Sequence, residues 1–128
     1  MPNLRRLGAD AEDRAAEYLL GKGYTIVTRR YHGRYGEIDI IALADDTLVF
    51  VEVKERRTPG MAPEEAVGAK KVARMARAAA RFRAETSDER AFRFDLIAID
   101  KEGLRHYEGC FEIGDVASFA EPTGPEEI

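Results

Sequence analysis

The chain has little cysteine and no long apolar run, and these absences narrow its class. Its single cysteine, Cys110, excludes an internal disulfide and argues against a cysteine-rich zinc site. We expect this residue to be a small buried hydrophobic side chain. No apolar run approaches the roughly 20 residues that a membrane-spanning helix needs. The N-terminal segment MPNLRRLGADAEDR lacks the apolar core of a secretory signal, so the expected compartment is the cytoplasm.

Several well-known sequence motifs are also missing. The chain contains no Gly-rich phosphate loop, no Gly-x-Ser-x-Gly nucleophile elbow and no internal repeat. At 128 residues it is long enough for one hydrophobic core. We therefore predict a single domain over residues 1–120, followed by a flexible acidic tail over residues 121–128.

The net charge of −4 argues weakly against nucleic acid as a partner, but the charge is unevenly distributed. Residues 1–83 contain 16 Lys+Arg and 12 Asp+Glu, whereas residues 84–128 contain 4 Lys+Arg and 12 Asp+Glu. The acidic balance thus belongs to the C-terminal third of the chain. A basic surface for nucleic acid remains compatible with the first two thirds.

The stretch GEIDIIALADDTLVFVEVKER, residues 36–56, predicts a β-hairpin. Its two runs, Ile38–Leu43 and Leu48–Lys54, are rich in β-branched and aromatic residues, as strands are. The polar pair Asp45-Asp46 separates them and is the predicted turn. If these two residues are the centre of the turn, the numbers of facing residues in the two strands add up to 91.

Three charged residues lie inside these otherwise apolar strands, namely Asp39, Glu52 and Lys54. Side chains alternate across a strand, so Glu52 and Lys54 share one face. The predicted register places Asp39 opposite Glu52, and Glu37 opposite Lys54. A register shifted by one residue would instead move Asp39 to the other face.

Two readings of these strand charges follow from spacing alone. Two carboxylates that face each other across a hairpin repel one another, by roughly 0.2–1 kcal/mol even on an open face. A divalent cation bound between Asp39 and Glu52 would remove this repulsion, and carboxylate oxygens are ligands that Mg²⁺ prefers. In the other reading, each carboxylate is a strand-edge charge that pairs with an arginine.

The order of Asp39, about a dozen residues and then Glu52-x-Lys54 resembles the PD-(D/E)xK nuclease motif. The chain departs from this motif at its first letter, because Ile38 stands where proline would be. The longer string GEIDIIA…LVFVEVKER resembles the YraN-type family of small bacterial proteins, whose biochemical role is largely uncharacterised. That family is similar in fold to archaeal Holliday-junction resolvases, and the resemblance extends from about Gly8 to Ile99.

The resemblance implies a restriction-endonuclease-like fold with a site for Mg²⁺ or Mn²⁺. Asp39 and Glu52 would be the metal ligands, helped by the carbonyl of Val53. Lys54 would orient the attacking water or neutralise charge on the phosphate. The resemblance also implies a preference for structured or branched DNA and a possible homodimer, although no segment of the chain identifies a dimer interface.

Residues 7–22 predict the first helix because apolar residues recur there at spacings of three and four. In resolvase-like proteins, a glutamate on the first helix points at the metal. The family pattern of a glycine followed four positions later by an acidic residue matches Gly8 and Glu12. The resemblance therefore implies that Glu12 is a third metal ligand. In the alternative reading, Glu12 is a carboxylate near the start of a helix, which the helix dipole favours.

Two groups of basic residues are candidates for binding nucleic acid. The first is the segment TRRYHGRYGE, where Arg34 and other cations are interleaved with tyrosines. The second is a stripe on the helix predicted from Pro63 to about Ala84. Its cations recur at spacings of four, three and four, and they span about 17 Å at 1.5 Å per residue. They are Lys70, Arg74, Arg77 and Arg81. Both groups have a simpler interpretation as solvated surface.

The remaining pattern predicts strands over residues 24–30, 92–100 and 104–113. Within the strand at 92–100, Asp95 is a charge in an apolar run, and we expect it to form an ion pair with a neighbouring arginine. The element order is then α-β-β-β-α-β(-β). This order predicts an α/β domain with a mixed central sheet flanked by helices.

These observations predict a Mg²⁺-dependent endonuclease that hydrolyses phosphodiester bonds of DNA. The alternative is a non-catalytic nucleic-acid-binding protein or a scaffold of a nucleoprotein complex. A third reading is a structural interaction module whose strand charges are simply paired. Binding of a metal separates the first reading from the third, and cleavage separates the first from the second.

Overall fold

The computed structural model describes residues 4–34, 36–56, 60 and 62–111. These residues form two α-helices, five strands and a short 3₁₀ helix, in the order α1-β1-β2-β3-3₁₀-α2-β4-β5. The elements are α1 (Leu4–Gly21), β1 (Thr25–Gly33), β2 (Gly36–Ala44), β3 (Thr47–Glu55), the 3₁₀ helix (Pro63–Ala66), α2 (Ala69–Thr86), β4 (Phe92–Asp100) and β5 (Gly103–Tyr107). No helix in this part of the chain is both long enough and apolar enough to cross a membrane.

The strands form one sheet in the order β1-β2-β3-β4-β5. Strands β3 and β4 are parallel because α2 crosses over between them, whereas the other neighbours are antiparallel. The sheet is therefore mixed, and its element order confirms the predicted α/β, restriction-endonuclease-like architecture.

The two helices cover opposite faces of the sheet, and each closes its own hydrophobic cluster. The α1 cluster includes Ala15 and Leu19 of the helix with Val49 and Val51 of β3. The α2 cluster includes Met75 and Phe82 of the helix with Ile41 and Phe50 of the sheet. Successive residues of β3 thus alternate between the two clusters. Burial on both faces explains why its sequence is an almost continuous apolar run.

The predicted hairpin register is confirmed. Leu43 pairs with Leu48 and Ile41 pairs with Phe50, so that facing residues do add up to 91. The turn is the expected pair, and Asp45 adopts a left-handed backbone with φ of 55°. The last β2–β3 pair before the strands separate is Ile40 with Val51, so the predicted pair of Asp39 with Glu52 lies just beyond the ladder.

Two predicted boundaries were wrong. The helix predicted to begin at Pro63 is divided, because Val67 and Gly68 adopt an extended backbone between the 3₁₀ helix and α2. Strand β1 extends beyond residue 30 to Gly33, which is one of the two alternatives, loop or strand extension, that the sequence allows for these residues. Strand β5 ends at Tyr107 and not at residue 113, because a turn follows it. The predicted tail over residues 121–128 lies outside the described residues.

Cys110 is not the buried hydrophobic residue that we expected. It is exposed, and it follows the turn after the edge strand β5. Its backbone N–H donates to the carbonyl of Phe94. The sulfur also lies 3.6 Å from that carbonyl oxygen.

Asp95 is held by hydrogen bonds from three residues, Arg93, His106 and Gly109, which confirms the expected ion pair with an arginine. Arg93 donates to Oδ1 at 3.0 Å, and the amide of Gly109 donates to the same oxygen at 2.9 Å. Nε2 of His106 lies 2.8 Å from Oδ2. Burial alone would raise the pKa of Asp95, but the hydrogen bonds from His106, Arg93 and Gly109 together lower it.

We expect Asp95→Asn to destabilise the protein by about 3–5 kcal/mol, because it removes one partner from a buried charge network. Arg90→Gln breaks an exposed ion pair with Asp46 and is expected to cost less than about 1 kcal/mol. Urea unfolding measures both changes in the free energy of unfolding. Equal losses for the two variants would show that the buried network has no special structural role.

Candidate functional site: a buried carboxylate pair

The candidate site lies where β2 and β3 separate. Beyond the pair of Ile40 with Val51, the backbone N–H of Val53 donates to Oδ2 of Asp39 at 2.8 Å. The Asp39 carboxylate thus replaces a backbone carbonyl as the acceptor for this strand. Asp39 and Glu52 influence each other directly, since each contributes a side-chain hydrogen-bond effect to the pKa of the other.

Glu52 is the more deeply buried carboxylate of this pair. Its residue is only 3% exposed, and the nearest cation is Nζ of Lys71, 3.5 Å from Oε2. The other oxygen, Oε1, is buried and has no hydrogen-bond partner in the structure. Burial and, next in size, the charge of Asp39 together raise the pKa of Glu52 to about 8.

Burial also raises the pKa of Asp39, although the Val53 amide and the charge of Lys71 oppose this effect. Two neighbouring carboxylates that are both raised cannot easily be ionised together. The pair therefore favours one shared proton at neutral pH in the absence of another cation. A buried pair of this kind is typical of functional sites rather than of stabilising interactions.

Lys54 and Lys71 are the two lysines whose charges act on Glu52, and both favour its ionised form. Lys54 was predicted from the Glu-x-Lys spacing and is half-buried on β3. Lys71 was missed. Its position could have been found, because Lys71 occupies the same helical face as the buried residues Met75 and Phe82, which follow it by four and eleven residues.

Glu12 lies on α1 and is only 6% exposed. Nε of Arg30 donates to its Oε1 at 2.7 Å, and Nη2 of Arg29 donates to the same oxygen at 3.2 Å. The charge of Glu12 raises the pKa of Asp39, so the two carboxylates lie within electrostatic range. The alternative reading of Glu12 as a helix-start carboxylate is wrong, because α1 begins at Leu4 and Glu12 is past its first turns.

The structure therefore brings Asp39 and Glu52 together, whereas the oxygen Oε1 of Glu12 is taken by two arginines. Among the residues that the structure describes, no group of three or more His, Cys, Asp or Glu side chains is arranged to hold a metal. The carboxylate pair nevertheless fits a divalent cation. It offers a buried oxygen of Glu52 that lacks a partner, and it consists of like charges that a cation would stabilise.

The basic stripe of α2 lies beside the turn between β1 and β2. The positions of Lys70, Arg74 and Arg81 are exposed and that of Arg77 is half-buried, which confirms their helical alignment. A Cβ atom at Gly36 would lie 2.9 Å from the Cβ of Arg74, so only glycine permits this close approach. Arg34 lies in the same turn and is exposed.

The stripe itself contains no acidic residue, but Glu85 follows its last cation, Arg81, by about one helical turn. Arg81 donates to Glu85 at 2.8 Å, and Tyr31 donates to the same carboxylate at 2.8 Å. Arg29 and Arg30 of the first basic segment bind Glu12. The exposed basic residues best placed to bind nucleic acid are thus those in the N-terminal part of α2 and in the β1–β2 turn. Tyr35 lies outside the described residues.

The fold and the site define a mixed α/β protein with a buried carboxylate pair at the separation of two strands. A model of the uncharacterised protein family UPF0102 matches residues 11–99. The chain belongs to this family, which confirms the resemblance to YraN-type proteins. A UPF0102 protein of Sulfurihydrogenibium sp. is 38% identical over 104 residues, covering 80% of this chain and 90% of that relative. A UPF0102 protein of Chlorobaculum tepidum is 42% identical over 121 residues, covering 85% of this chain and 94% of that relative.

Proposed function

We propose that the protein is a Mg²⁺-dependent nuclease that hydrolyses phosphodiester bonds of DNA. The observation that carries this proposal is the pair of half-buried Asp39 and buried Glu52, in which Oε1 of Glu52 receives no hydrogen bond from a donor of the described residues. A structural ion pair has no reason to leave a buried carboxylate oxygen unsatisfied. The position of Lys54 two residues after Glu52 supports a catalytic role over a purely structural one.

Asp39 and Glu52 would hold the metal. When bound, Mg²⁺ supplies Lewis acidity to the phosphate and lowers the pKa of its bound water. The chain's own contribution is geometric and electrostatic. The Val53 amide fixes the Asp39 carboxylate, and Glu52 is buried with Lys71 of α2 at 3.5 Å from its Oε2. The ammonium of Lys54 would orient the attacking water or offset charge that develops on the phosphate.

The basic residues of α2 and of the β1–β2 turn would position the nucleic-acid backbone. Lys70 and Arg74 are exposed about one helical turn apart, and Arg34 lies in the adjacent turn. Arg77 and Arg81 continue the stripe along the helix. Contacts of this type bind phosphates, so they are independent of base sequence and sensitive to salt.

A cleavage assay tests the proposal. Labelled four-way DNA junctions, linear DNA duplexes and RNA duplexes are incubated with the protein in Mg²⁺ or in a chelator. We expect metal-dependent cleavage of DNA, with the branched substrate preferred on the basis of the resemblance. Cleavage that persists in the chelator would contradict a metal-dependent mechanism. Cleavage of RNA alone would keep the site but change the substrate.

We expect Lys70→Gln/Arg74→Gln to weaken DNA binding and to make it less dependent on salt. Each phosphate contact that is lost reduces the slope of log affinity against log salt concentration by about 0.9. Fluorescence anisotropy with a DNA duplex at several salt concentrations measures both quantities. Arg90→Gln is the matched control, because Arg90 lies beside the β2–β3 turn at the other end of β3. An unchanged slope in the double variant would exclude the α2 stripe as the binding surface.

The second candidate is a nucleic-acid-binding protein that does not cut. It is favoured by the ion pairs of Glu12 and Glu52 with cations of the chain itself, which satisfy part of the charge that a metal would bind. This candidate predicts salt-sensitive DNA binding that is the same in Mg²⁺ and in a chelator. It also predicts that Asp39→Asn leaves DNA binding unchanged.

A further inference from the structure

Cations of the chain already lie against two of the three carboxylates at the site. Arg30 and Arg29 donate to Oε1 of Glu12, at 2.7 and 3.2 Å. Nζ of Lys71 lies 3.5 Å from Oε2 of Glu52. A divalent cation that approached this arrangement would meet carboxylates whose charge is already partly neutralised. It would also be repelled by the neighbouring cations.

Arg30 has the geometry of a residue that holds Glu12 and also faces solvent. Its backbone is left-handed, with φ of 54°, which is unfavourable for a residue with a Cβ atom. It lies between the β1–β2 pairs Arg29 with Ile40 and Tyr31 with Ile38. Its side chain is 58% exposed while that of Glu12 is 8% exposed, so the guanidinium reaches from a buried carboxylate to the surface.

Arg29 is imperfectly satisfied in this arrangement. Its Nη2 contacts both Glu12 and Asp13, but its Nε is buried and has no hydrogen-bond partner in the structure. An unsatisfied buried donor raises the free energy of the state that contains it. Moving away from Glu12 therefore costs Arg29 less free energy than it would if all of its buried donors had hydrogen-bond partners.

We propose that Arg29, Arg30 and Lys71 are positioning residues that make metal binding depend on DNA binding. Phosphate oxygens of a bound DNA backbone attract these cations away from the carboxylates, and Glu12 and Glu52 then become available to the metal. The protein alone binds the metal weakly, and DNA and metal strengthen each other's binding. This inference rests on the proposed function, because it concerns the same carboxylates and the same class of substrate.

The coupling between metal binding and DNA binding has an expected size, and it must act equally in both directions. Coupling between two binding sites typically changes affinity by about 5–150-fold, and each ligand changes the affinity of the other by the same factor. Arg30 contributes because its removal leaves Glu12 with one cation instead of two. The metal affinity of the protein without DNA is then expected to rise, which a variant that merely damaged the structure would not show.

The test measures Mn²⁺ binding by calorimetry, with and without a short DNA duplex, in an Lys54→Ala background that prevents cleavage. We expect DNA to raise the Mn²⁺ affinity of this parent protein by about 5-fold or more. Arg30→Asn is expected to raise the affinity without DNA by about 10-fold and to reduce the enhancement by DNA. Asparagine tolerates a left-handed backbone, so this substitution removes the cation while the strand is kept.

Two further variants protect the test against a folding defect. Lys71→Met removes the cation at Glu52 and keeps an apolar stem, so it should also raise the Mn²⁺ affinity without DNA. Arg90→Gln removes an arginine that pairs with Asp46 and Asp88 and should leave Mn²⁺ binding unchanged. Thermal unfolding of each variant identifies any loss of structure.

The outcomes separate the inference from the proposed function. If Asp39→Asn abolishes Mn²⁺ binding while Arg30→Asn and Lys71→Met leave the DNA-free affinity unchanged or lower, the inference is wrong and the metal site stands. If no variant binds Mn²⁺, with or without DNA, the proposed function fails and the inference fails with it. An enhancement by DNA that is equal in all variants would assign the coupling to metal–phosphate contact alone.

Discussion

Asp39→Asn is expected to reduce DNA cleavage by about 10³-fold or more while the protein remains folded. Asparagine keeps the shape of the side chain and can still accept the hydrogen bond from the Val53 amide. It removes one of two neighbouring like charges, and the repulsion that is relieved offsets the lost attraction between Asp39 and Lys71. The loss of activity therefore reflects the metal ligand and the charge, and not the structure around them.

The matched control for this prediction is Asp46→Asn in the turn of the same hairpin. The side chain of Asp46 is 95% exposed and pairs with Arg90, at the opposite end of β3 from Glu52. We expect it to cleave DNA at the wild-type rate. Cleavage assays under identical Mg²⁺ concentrations measure both variants. Full activity in Asp39→Asn, or an equal loss in Asp46→Asn, would contradict the assigned site.

Glu52→Gln is expected to stabilise the metal-free protein at high pH while it abolishes cleavage. The pKa of Glu52 is raised from 4.5 to about 8 in the folded protein, mainly by burial. A raised carboxyl pKa means that folding favours the protonated form. The contribution of protonated Glu52 to the free energy of unfolding is therefore fully present below pH 4.5 and is lost as the pH rises through about 8. Glutamine does not ionise, so the variant lacks this loss.

The expected difference between Glu52→Gln and wild type has a specific pH profile. It is small below pH 4.5 and grows to a few kcal/mol above pH 8, because one pKa unit corresponds to about 1.4 kcal/mol. Urea unfolding at a series of pH values gives the difference. Glu102→Gln, in the exposed turn after β4, should follow the wild-type profile. A constant difference over the whole pH range would show that Glu52 is not a buried group with a raised pKa.

Mg²⁺ should reduce the stability difference between Glu52→Gln and wild type at high pH. A divalent cation stabilises the ionised form of Glu52, so it offsets the cost of burying that charge. The Gln variant has no such charge and is expected to gain less from the metal. The substitution thus exchanges activity for stability, as often occurs at functional sites.

Much of the fold followed from local pattern in the sequence. The hairpin register followed from placing Asp45-Asp46 at the centre of the turn, although this pair alone does not exclude a shift by one residue. Strand β4 was predicted with its observed ends, Phe92 and Asp100, since its apolar run is bounded by polar turns. The division of the helix after Pro63 was not predictable in this way. Helical periodicity in α2 is strong, and the one local signal of the break is Gly68, a residue type that helical patterns also tolerate.

The candidate site was predictable only in part. Asp39, Glu52 and Lys54 were found because charges in buried strands are conspicuous. The pairing of Glu12 with Arg30 joins residues 18 positions apart on different elements, and no local pattern encodes it. The role of Lys71 depends on the crossover of α2, which brings its buried face over β3.

The measurement that tests the central claim most directly is Mn²⁺ binding by calorimetry to wild type and to Asp39→Asn/Glu52→Gln, each in the presence of a DNA duplex. We predict that wild type binds the metal and that the double variant does not, while both proteins bind DNA and remain folded. Metal binding of equal affinity in the two proteins would place the metal elsewhere. An absence of metal binding in wild type, even with DNA present, would contradict the account and favour the non-catalytic reading.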